Sequence, residues 1–178
     1  PRFDSSFDEA IAQAGDDFER VALKAQAARD YFLLVGPPGT GKTSRALRRM
    51  VEHFYATSSM QILLLAYTNR AVDEICQSLS SITSGIDYIR VGSELSCDVR
   101  FRGHLLENIL AECNSRREVN TRMTDCRVYV GTVASIAAKA ELFKLKRFDV
   151  AIVDEATQIL EPQLLGILCA KFADERNA

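Results

Sequence analysis

Apolar positions along this chain alternate between two rhythms. Short, nearly continuous apolar runs fall at residues 31–35, 62–67, 88–91, 128–130 and 150–153. Runs of that length without apolar/polar alternation are the pattern of strands covered on both faces, as in a parallel sheet. Between them, apolar residues recur three and four apart. Phe18, Val21, Ala22 and Ala25 share a face over residues 16–29, and Ala46, Leu47, Met50, Val51 and Phe54 share one over 44–55. Ala71, Val72, Ile75 and Leu79 do the same over 71–79, as does the segment 133–140. A last helix is expected around Leu164, Leu165, Ile167 and Leu168, with Pro162 suited to its first turn. Strands that alternate with helices predict an α/β fold, a parallel sheet with helices on both faces.

Two segments stand outside this alternation. Residues 1–15 are polar with scattered apolar positions and read as a short helix or an ordered tail. Residues 93–125 carry Arg100, Arg102, Arg116, Arg117 and Arg122 interleaved with acidic side chains, and Leu105, Leu106, Ile109 and Leu110 suggest one solvated helix. This segment reads as a helical insertion. An ion-paired solvated face is the simpler reading of its arginines, and a nucleic-acid path is the other.

The chemistry begins where the first apolar run ends. Residues 36–43 read Gly36-Pro37-Pro38-Gly39-Thr40-Gly41-Lys42-Thr43, followed by Ser44 at the start of a helical pattern. The glycines let the backbone curl with its N–H groups turned toward phosphate oxygens, and the new helix adds its positive dipole end. Lys42 is placed to reach β- and γ-phosphates, and the Thr43 hydroxyl to ligate Mg2+. A sheet that carries such a loop after its first strand is a P-loop NTPase core. Further on, the run 150–153 ends in Asp154-Glu155. Adjacent residues of a strand point to different places. Asp154 is therefore assigned to the metal, and Glu155 to orienting or deprotonating the attacking water.

Asp154-Glu155-Ala156-Thr157-Gln158 has the form Asp-Glu-Ala-x-Gln. Together with the phosphate loop it resembles superfamily 1 helicases, and within them the 5′→3′ group that includes the nonsense-mediated-decay RNA helicases and the replication helicase–nucleases. Ala66-Tyr67-Thr68-Asn69-Arg70-Ala71-Val72-Asp73-Glu74-Ile75 resembles that group's motif Ia, and Val130-Gly131-Thr132-Val133-Ala134-Ser135 its motif Ic. The resemblance implies a first RecA-like motor domain over residues 1–178, using ATP and Mg2+ on single-stranded nucleic acid, with DNA favoured over RNA. It implies that Lys42, Glu155 and Gln158 are catalytic. It implies that Gly36, Pro37, Pro38, Gly39, Thr40, Gly41, Lys42, Thr43 and Ser44 hold the nucleotide, and that Thr43 and Asp154 hold the metal. Thr68, Asn69, Thr132 and Ser135 are implied to contact the backbone of the strand, which carries no base sequence; helix capping is the alternative role for each.

The resemblance also sets out what to look for beyond these segments. The family's adenine-reading Gln falls nearest Glu19 here, which accepts hydrogen bonds but donates none when ionised; Gln26 reads as a surface helix residue. The family continues with a strand bearing Gly-Asp-x-x-Gln and a second RecA-like domain, and nothing in these residues matches either. That strand lies between the phosphate-loop strand and the Asp-Glu strand, so both are expected to be short of partners unless the N-terminal segment or a second chain fills the gap. The chain is expected to be an excerpt of a longer helicase. Two other functions stay open: a nucleotide-dependent nucleic-acid-binding module or switch without productive unwinding, and a P-loop NTPase acting on protein partners. The Asp-Glu-Ala-x-Gln and Thr68-Asn69 segments speak against the second.

Bulk composition adds exclusions. A net charge of −2 gives no global basic field to advertise nucleic acid. Cys76, Cys97, Cys113, Cys126 and Cys169 show no paired spacing, which argues for free thiols in a reducing, intracellular compartment, cytoplasm or nucleus. Cys76, Cys113 and Cys169 read as small apolar fillers in helices. His53 and His104 lack metal-ligand spacing and read as solvated or capping residues. Lys139, Lys144, Lys146 and Arg147 read as a solvated basic loop. No apolar stretch is long enough to span a bilayer.

Overall fold

The computed structural model describes residues 1–37 and 39–172. It divides into two compact units: residues 1–59 with 78–86, and residues 60–77 with 87 onward.

Unit one is helical. It holds α1 (Asp8–Ala12), α2 (Asp17–Ala27) and α3 (Arg48–Thr57). α2 starts where it does because Asp16, in extended conformation, accepts the Glu19 N–H at 2.7 Å. The Glu19 carboxylate returns to accept the Gly15 N–H, also at 2.7 Å. Two otherwise orphaned backbone donors are thereby satisfied. α2 buries Ala22, Leu23 and Ala27, and α3 buries Met50, Val51 and Phe54. The N-terminal segment straps the end of α2: Phe3 bridges Ala28, and Asp4 N–H donates to Ala27 O at 2.8 Å.

The expected strand at 31–35 does not form. Its residues have no regular secondary structure and take part in no sheet pairing among the described residues, and Leu33 and Val35 are 74% and 90% exposed. An apolar run becomes a strand only when another strand satisfies its backbone, and unit one supplies none among the described residues.

Unit two is built on a sheet. Its elements are β1 (Ile62–Ala66), α4 (Asn69–Ser80), β2 (Tyr88–Val91), α5 (Leu106–Ala111), α6 (Arg116–Asp125) and β3 (Val128–Thr132). α7 (Val133–Ala137), α8 (Leu142–Leu145), β4 (Val150–Val153) and α9 (Glu161–Phe172) follow. The strand order is β2-β3-β1-β4 and every pairing is parallel. Leu64 faces Val130 on one side and Ile152 on the other, and Ile89 faces Tyr129. β1, β2 and β3 are buried throughout. β4 is half-buried, and β1 is its one strand neighbour among the described residues. The result is a mixed α/β fold with a four-stranded parallel sheet, as the apolar runs indicate.

Around the sheet, Tyr129 and Phe148 meet edge to face at 5.3 Å, and Phe143 packs on Phe148 at 5.9 Å. Gly131 is required where β3 meets β2: a Cβ there would stand 2.8 Å from the Val91 carbonyl oxygen. Residues 93–125 do not form the single solvated helix their pattern suggests. They make 3-10 turns at Glu94–Ser96 and Val99–His104, then α5 and α6. Leu105, Leu106 and Ile109 are buried, because their apolar edge has the sheet to cover. Arg100 pairs with Asp98 and Arg102 with Glu94, while Arg116, Arg117 and Arg122 are exposed.

The basic stretch before β4 also differs from expectation. Lys146 is buried and donates to Thr124 O at 2.6 Å and Cys126 O at 2.7 Å, closing the C-terminal end of α6. A cation suits that helix end, where unsatisfied carbonyls gather. Burial pulls its ammonium below the ordinary lysine value.

Candidate functional site

The phosphate loop belongs to unit one. Gly39 and Gly41 adopt φ of +78° and +82°, the left-handed region that other residues enter only at a cost. This curl turns successive N–H groups the same way, the arrangement that receives an anion. Around Gly39 a Cβ would meet nothing within 4 Å, so backbone conformation rather than space is what favours glycine there. The Lys42 ammonium folds back on the loop, donating to Gly36 O at 2.6 Å and Pro37 O at 2.8 Å. The Thr40 hydroxyl donates to Pro37 O at 2.8 Å. Pro38 lies outside the described residues. The helix after the loop is not α-helical from its start, as the pattern suggests. Residues Lys42–Leu47 form a π-helical turn in which Ala46 N–H reaches Gly41 O at 2.9 Å. Such turns widen the helix locally and recur at functional sites. Thr43 is half-buried and Ser44 exposed on this turn.

The acidic turn belongs to unit two. Asp154 continues the β4 ladder, its N–H donating to Leu65 O at 2.8 Å, and its carboxylate accepts the Glu155 N–H at 3.0 Å. Glu155 is the one non-glycine residue with positive φ, +51°, among the described residues. Gln158 ends the 3-10 turn Ala156–Gln158, and its amide donates to the Glu155 carboxylate at 2.8 Å. Asp154 is half-buried; Glu155 and Gln158 are exposed.

The segments resembling motifs Ia and Ic lie at the C-terminal ends of neighbouring strands, since Ala66 pairs with Thr132. Thr68 accepts the Ala71 N–H at 3.1 Å and so caps α4, and it is exposed. Thr132 is buried and caps α7, accepting the Ser135 N–H at 3.0 Å while donating to Ser135 Oγ at 2.8 Å. Both threonines therefore have the capping role. Ser135 and Asn69 are half-exposed at the same end of the sheet.

Other sequence candidates resolve into packing. Glu19 is committed to the start of α2. His53 Nε2 meets Gln26 Oε1 at 2.5 Å, so neither is a simple surface residue; burial and Arg49 lower the imidazole's proton affinity. His104 stacks on Tyr88 at 4.0 Å rather than being solvated. Cys76 and Cys126 are buried thiols pushed up to about 11 by burial, whereas Cys169 is exposed and fills nothing. No cluster of metal-ligating side chains occurs among the described residues. The residue pair that sequence reasoning missed beside the loop is Arg45 over Phe18, with the guanidinium carbon 4.5 Å from the ring centre. The signal was there: Arg45 stands two residues past Thr43.

Comparison with known proteins agrees with this reading. A family model described as an AAA domain matches residues 13–127. The DNA replication ATP-dependent helicase/nuclease JHS1 of Arabidopsis thaliana is 33% identical over 180 residues, covering 94% of this chain and 13% of that protein. The helicase/nuclease DNA2 of Xenopus laevis is 34% identical over 151 residues, covering 83% of this chain and 13% of its own length. The RNA helicase Mov10l1 of Mus musculus is 29% identical over 137 residues, covering 75% of this chain and 11% of its own. This chain thus spans about an eighth of the curated relatives it matches. The loop, the parallel sheet and these matches together make the chain a member of the AAA domain family of superfamily 1 helicases, corresponding to the N-terminal RecA-like region of the DNA2-type proteins.

Proposed function

We propose that this chain is the ATP-binding first motor domain of a 5′→3′ helicase or translocase acting on single-stranded nucleic acid, DNA before RNA. The observation that carries the proposal is the curled loop at Gly39–Lys42, with two left-handed glycines and a lysine at its rim. A triphosphate displaces the Gly36 and Pro37 carbonyls as the partner of Lys42, because phosphate oxygens bear full charge and the carbonyls do not. Thr43 and Asp154 are the residues that would hold Mg2+, which when bound neutralises charge on the β- and γ-phosphate oxygens. Glu155 positions the attacking water and takes its proton; Gln158, hydrogen-bonded to Glu155, keeps that carboxylate aimed. Thr68, Asn69 and Ser135 contact strand phosphates from one end of the sheet, and Thr132 acts through Ser135. Segment 93–125 is proposed as a helical insertion within this motor domain. The site of action is intracellular, cytoplasmic or nuclear.

The parent protein's second RecA-like domain supplies the opening and closing against which ATP turnover drives movement, and its arginines complete the γ-phosphate site. The chain alone is therefore expected to bind Mg2+–ATP and to hydrolyse it very slowly. Binding measured by calorimetry, and turnover with and without single-stranded DNA, test this. Lys42→Ala should weaken ATP at least tenfold, on the order of one charged phosphate contact. Absence of ATP binding to the unaltered chain rejects the proposal, and brisk turnover rejects the need for a second domain. Strand binding that falls steeply with salt supports phosphate tracking.

A further inference from the structure

α6 is fixed on its inner side and bare on its outer side. Ser115 caps its start, accepting the Glu118 N–H at 3.2 Å, and Val119 and Met123 pack into the core of unit two. The Tyr129 hydroxyl donates to Met123 O at 2.8 Å, and Lys146 closes the far end on Thr124 O. On the outer side stand Arg116, Arg117, Asn120, Thr121 and Thr124, all exposed. None of these side chains has a hydrogen bond or ion pair among the described residues. Arg100 and Arg102, earlier in the same segment, are spent on Asp98 and Glu94.

Arginines that serve a helix only by solvating it gain from carboxylates three or four residues away. Four residues on from Arg116 is Asn120, and then Thr124; four on from Arg117 is Thr121. The two rows lie side by side on the helix surface and extend over about 12 Å of its length. All five side chains can donate hydrogen bonds, and none is acidic. The carboxylates of α6 lie off this face. Glu118 shares a row with Arg122 and accepts the Asn114 N–H at 2.9 Å, and Asp125 stands in the last turn, at the end that Lys146 closes. The chain as a whole has a net charge of −2, so an anion is drawn here by a local field and not by a global one.

Guanidinium, amide and hydroxyl groups are the side chains that hold phosphate oxygens along a nucleic-acid backbone. Three of the five donors are neutral, which suits closely repeated oxygens better than the scattered carboxylates of an acidic peptide. We infer that the outer face of α6, from Arg116 to Thr124, is a second nucleic-acid contact of this chain, holding the phosphate backbone of a strand or a duplex without reading its bases. The inference rests on the nucleic-acid reading above, yet it uses none of Thr68, Asn69, Thr132 and Ser135.

Fluorescence anisotropy with a labelled oligothymidylate and a labelled DNA duplex tests it, over a salt series. The proteins are the unaltered chain, Arg116→Gln combined with Arg117→Gln, and Arg122→Gln alone. Glutamine keeps the helix, and circular dichroism of each variant verifies it. The paired variant should bind at least one of the two probes about tenfold more weakly near 0.1 M salt. The slope of log affinity against log salt should flatten by about 1.4 for the single strand or about 1.8 for the duplex, two phosphate contacts in either case. A merely structural loss would not move that slope. The probe that shows the change identifies the form held. Arg122→Gln, off the face, should alter the slope by less than about 0.3. Unchanged affinity and slope in the paired variant overturn the inference and leave the contacts at the end of the sheet standing. An Arg122→Gln effect as large per arginine as that of the pair marks a diffuse field and overturns it too, as does polyglutamate that competes as well as the oligonucleotide at equal charge. If the unaltered chain binds neither probe, the nucleic-acid reading falls and this contact with it.

Discussion

Replacing Asp73 with Asn should destabilise unit two far more than replacing the arginine it pairs with. Arg90 sits in the middle of β2 with its side chain 1% exposed, and its guanidinium bonds Asp73 on α4, whose side chain is 24% exposed. Arg90 also donates to Ser96 O at 3.3 Å. Burial is the largest influence on the guanidinium and works against its charge; the Asp73 hydrogen bond, together with the electrostatic influence of Cys76, Cys97 and Asp73, outweighs it, so Arg90's proton affinity ends above the ordinary value. Asp73→Asn removes the compensating charge and leaves a cation in the sheet that cannot lose its proton. Breaking a buried pair in this way costs about 3–5 kcal/mol, a large part of the 5–15 kcal/mol that holds a domain together. Arg90→Met strands the carboxylate instead, but water already reaches it and it keeps the Asp98 N–H at 3.4 Å. That variant should lose about 1–2 kcal/mol. The double variant should be more stable than Asp73→Asn alone, because the stranded cation is gone. Urea unfolding of all four forms, read as midpoint and slope, measures this. Losses that simply add to within about 0.5 kcal/mol, or an Arg90→Met that is the worse single change, would refute the account of the pair.

Lys146→Met should cost about 2 kcal/mol in the same assay, because the Thr124 and Cys126 carbonyls lose a charged donor while the methionine fills the same space; a neutral outcome would mean that water replaces the ammonium. Alkali should weaken the fold through the buried thiols. Cys76 and Cys126 are raised by burial from 9.0 to about 11, so folded chains retain protons that unfolded chains release. Their contribution is complete below pH 9 and is lost as pH rises toward 11, on the order of 3 kcal/mol per thiol. Stability curves for Cys76→Ala and Cys126→Ala should each be flatter over that window, and an unchanged slope in both would show that other groups govern it.

What could be read from the sequence follows from how far apart the causes lie. Continuous apolar runs at 62–67, 128–130 and 150–153 become β1, β3 and β4 because each finds a parallel neighbour. The equally apolar run at 31–35 does not, since pairing depends on what lies alongside and a local pattern contains no neighbour. The loop's left-handed glycines were legible because residue type dictates backbone there. Arg90–Asp73, Lys146 on the end of α6, and Arg45 on Phe18 were not, because each joins residues about 17 to 27 positions apart whose meeting is fixed by helix packing and sheet register. Lys146 in particular looks in sequence like any member of a basic run; only burial distinguishes it.

The phosphate loop and the acidic turn treat backbone conformation differently. In the phosphate loop the left-handed positions are Gly39 and Gly41, where no Cβ is strained. In the acidic turn the left-handed position is Glu155, at a cost of about 1–2 kcal/mol for an ordinary residue. A glycine or asparagine would relieve that cost, yet neither carries a carboxylate of glutamate length. Asp154 needs no such strain, because the sheet itself sets it through Leu65 O. On the proposed reading this separates two tasks. The metal-holding acid is fixed by the sheet, and the water-orienting acid stands at the first residue off it, in a turn that Gln158 braces. Strain confined to the one residue assigned to proton transfer is what a site selected for chemistry rather than for stability would show.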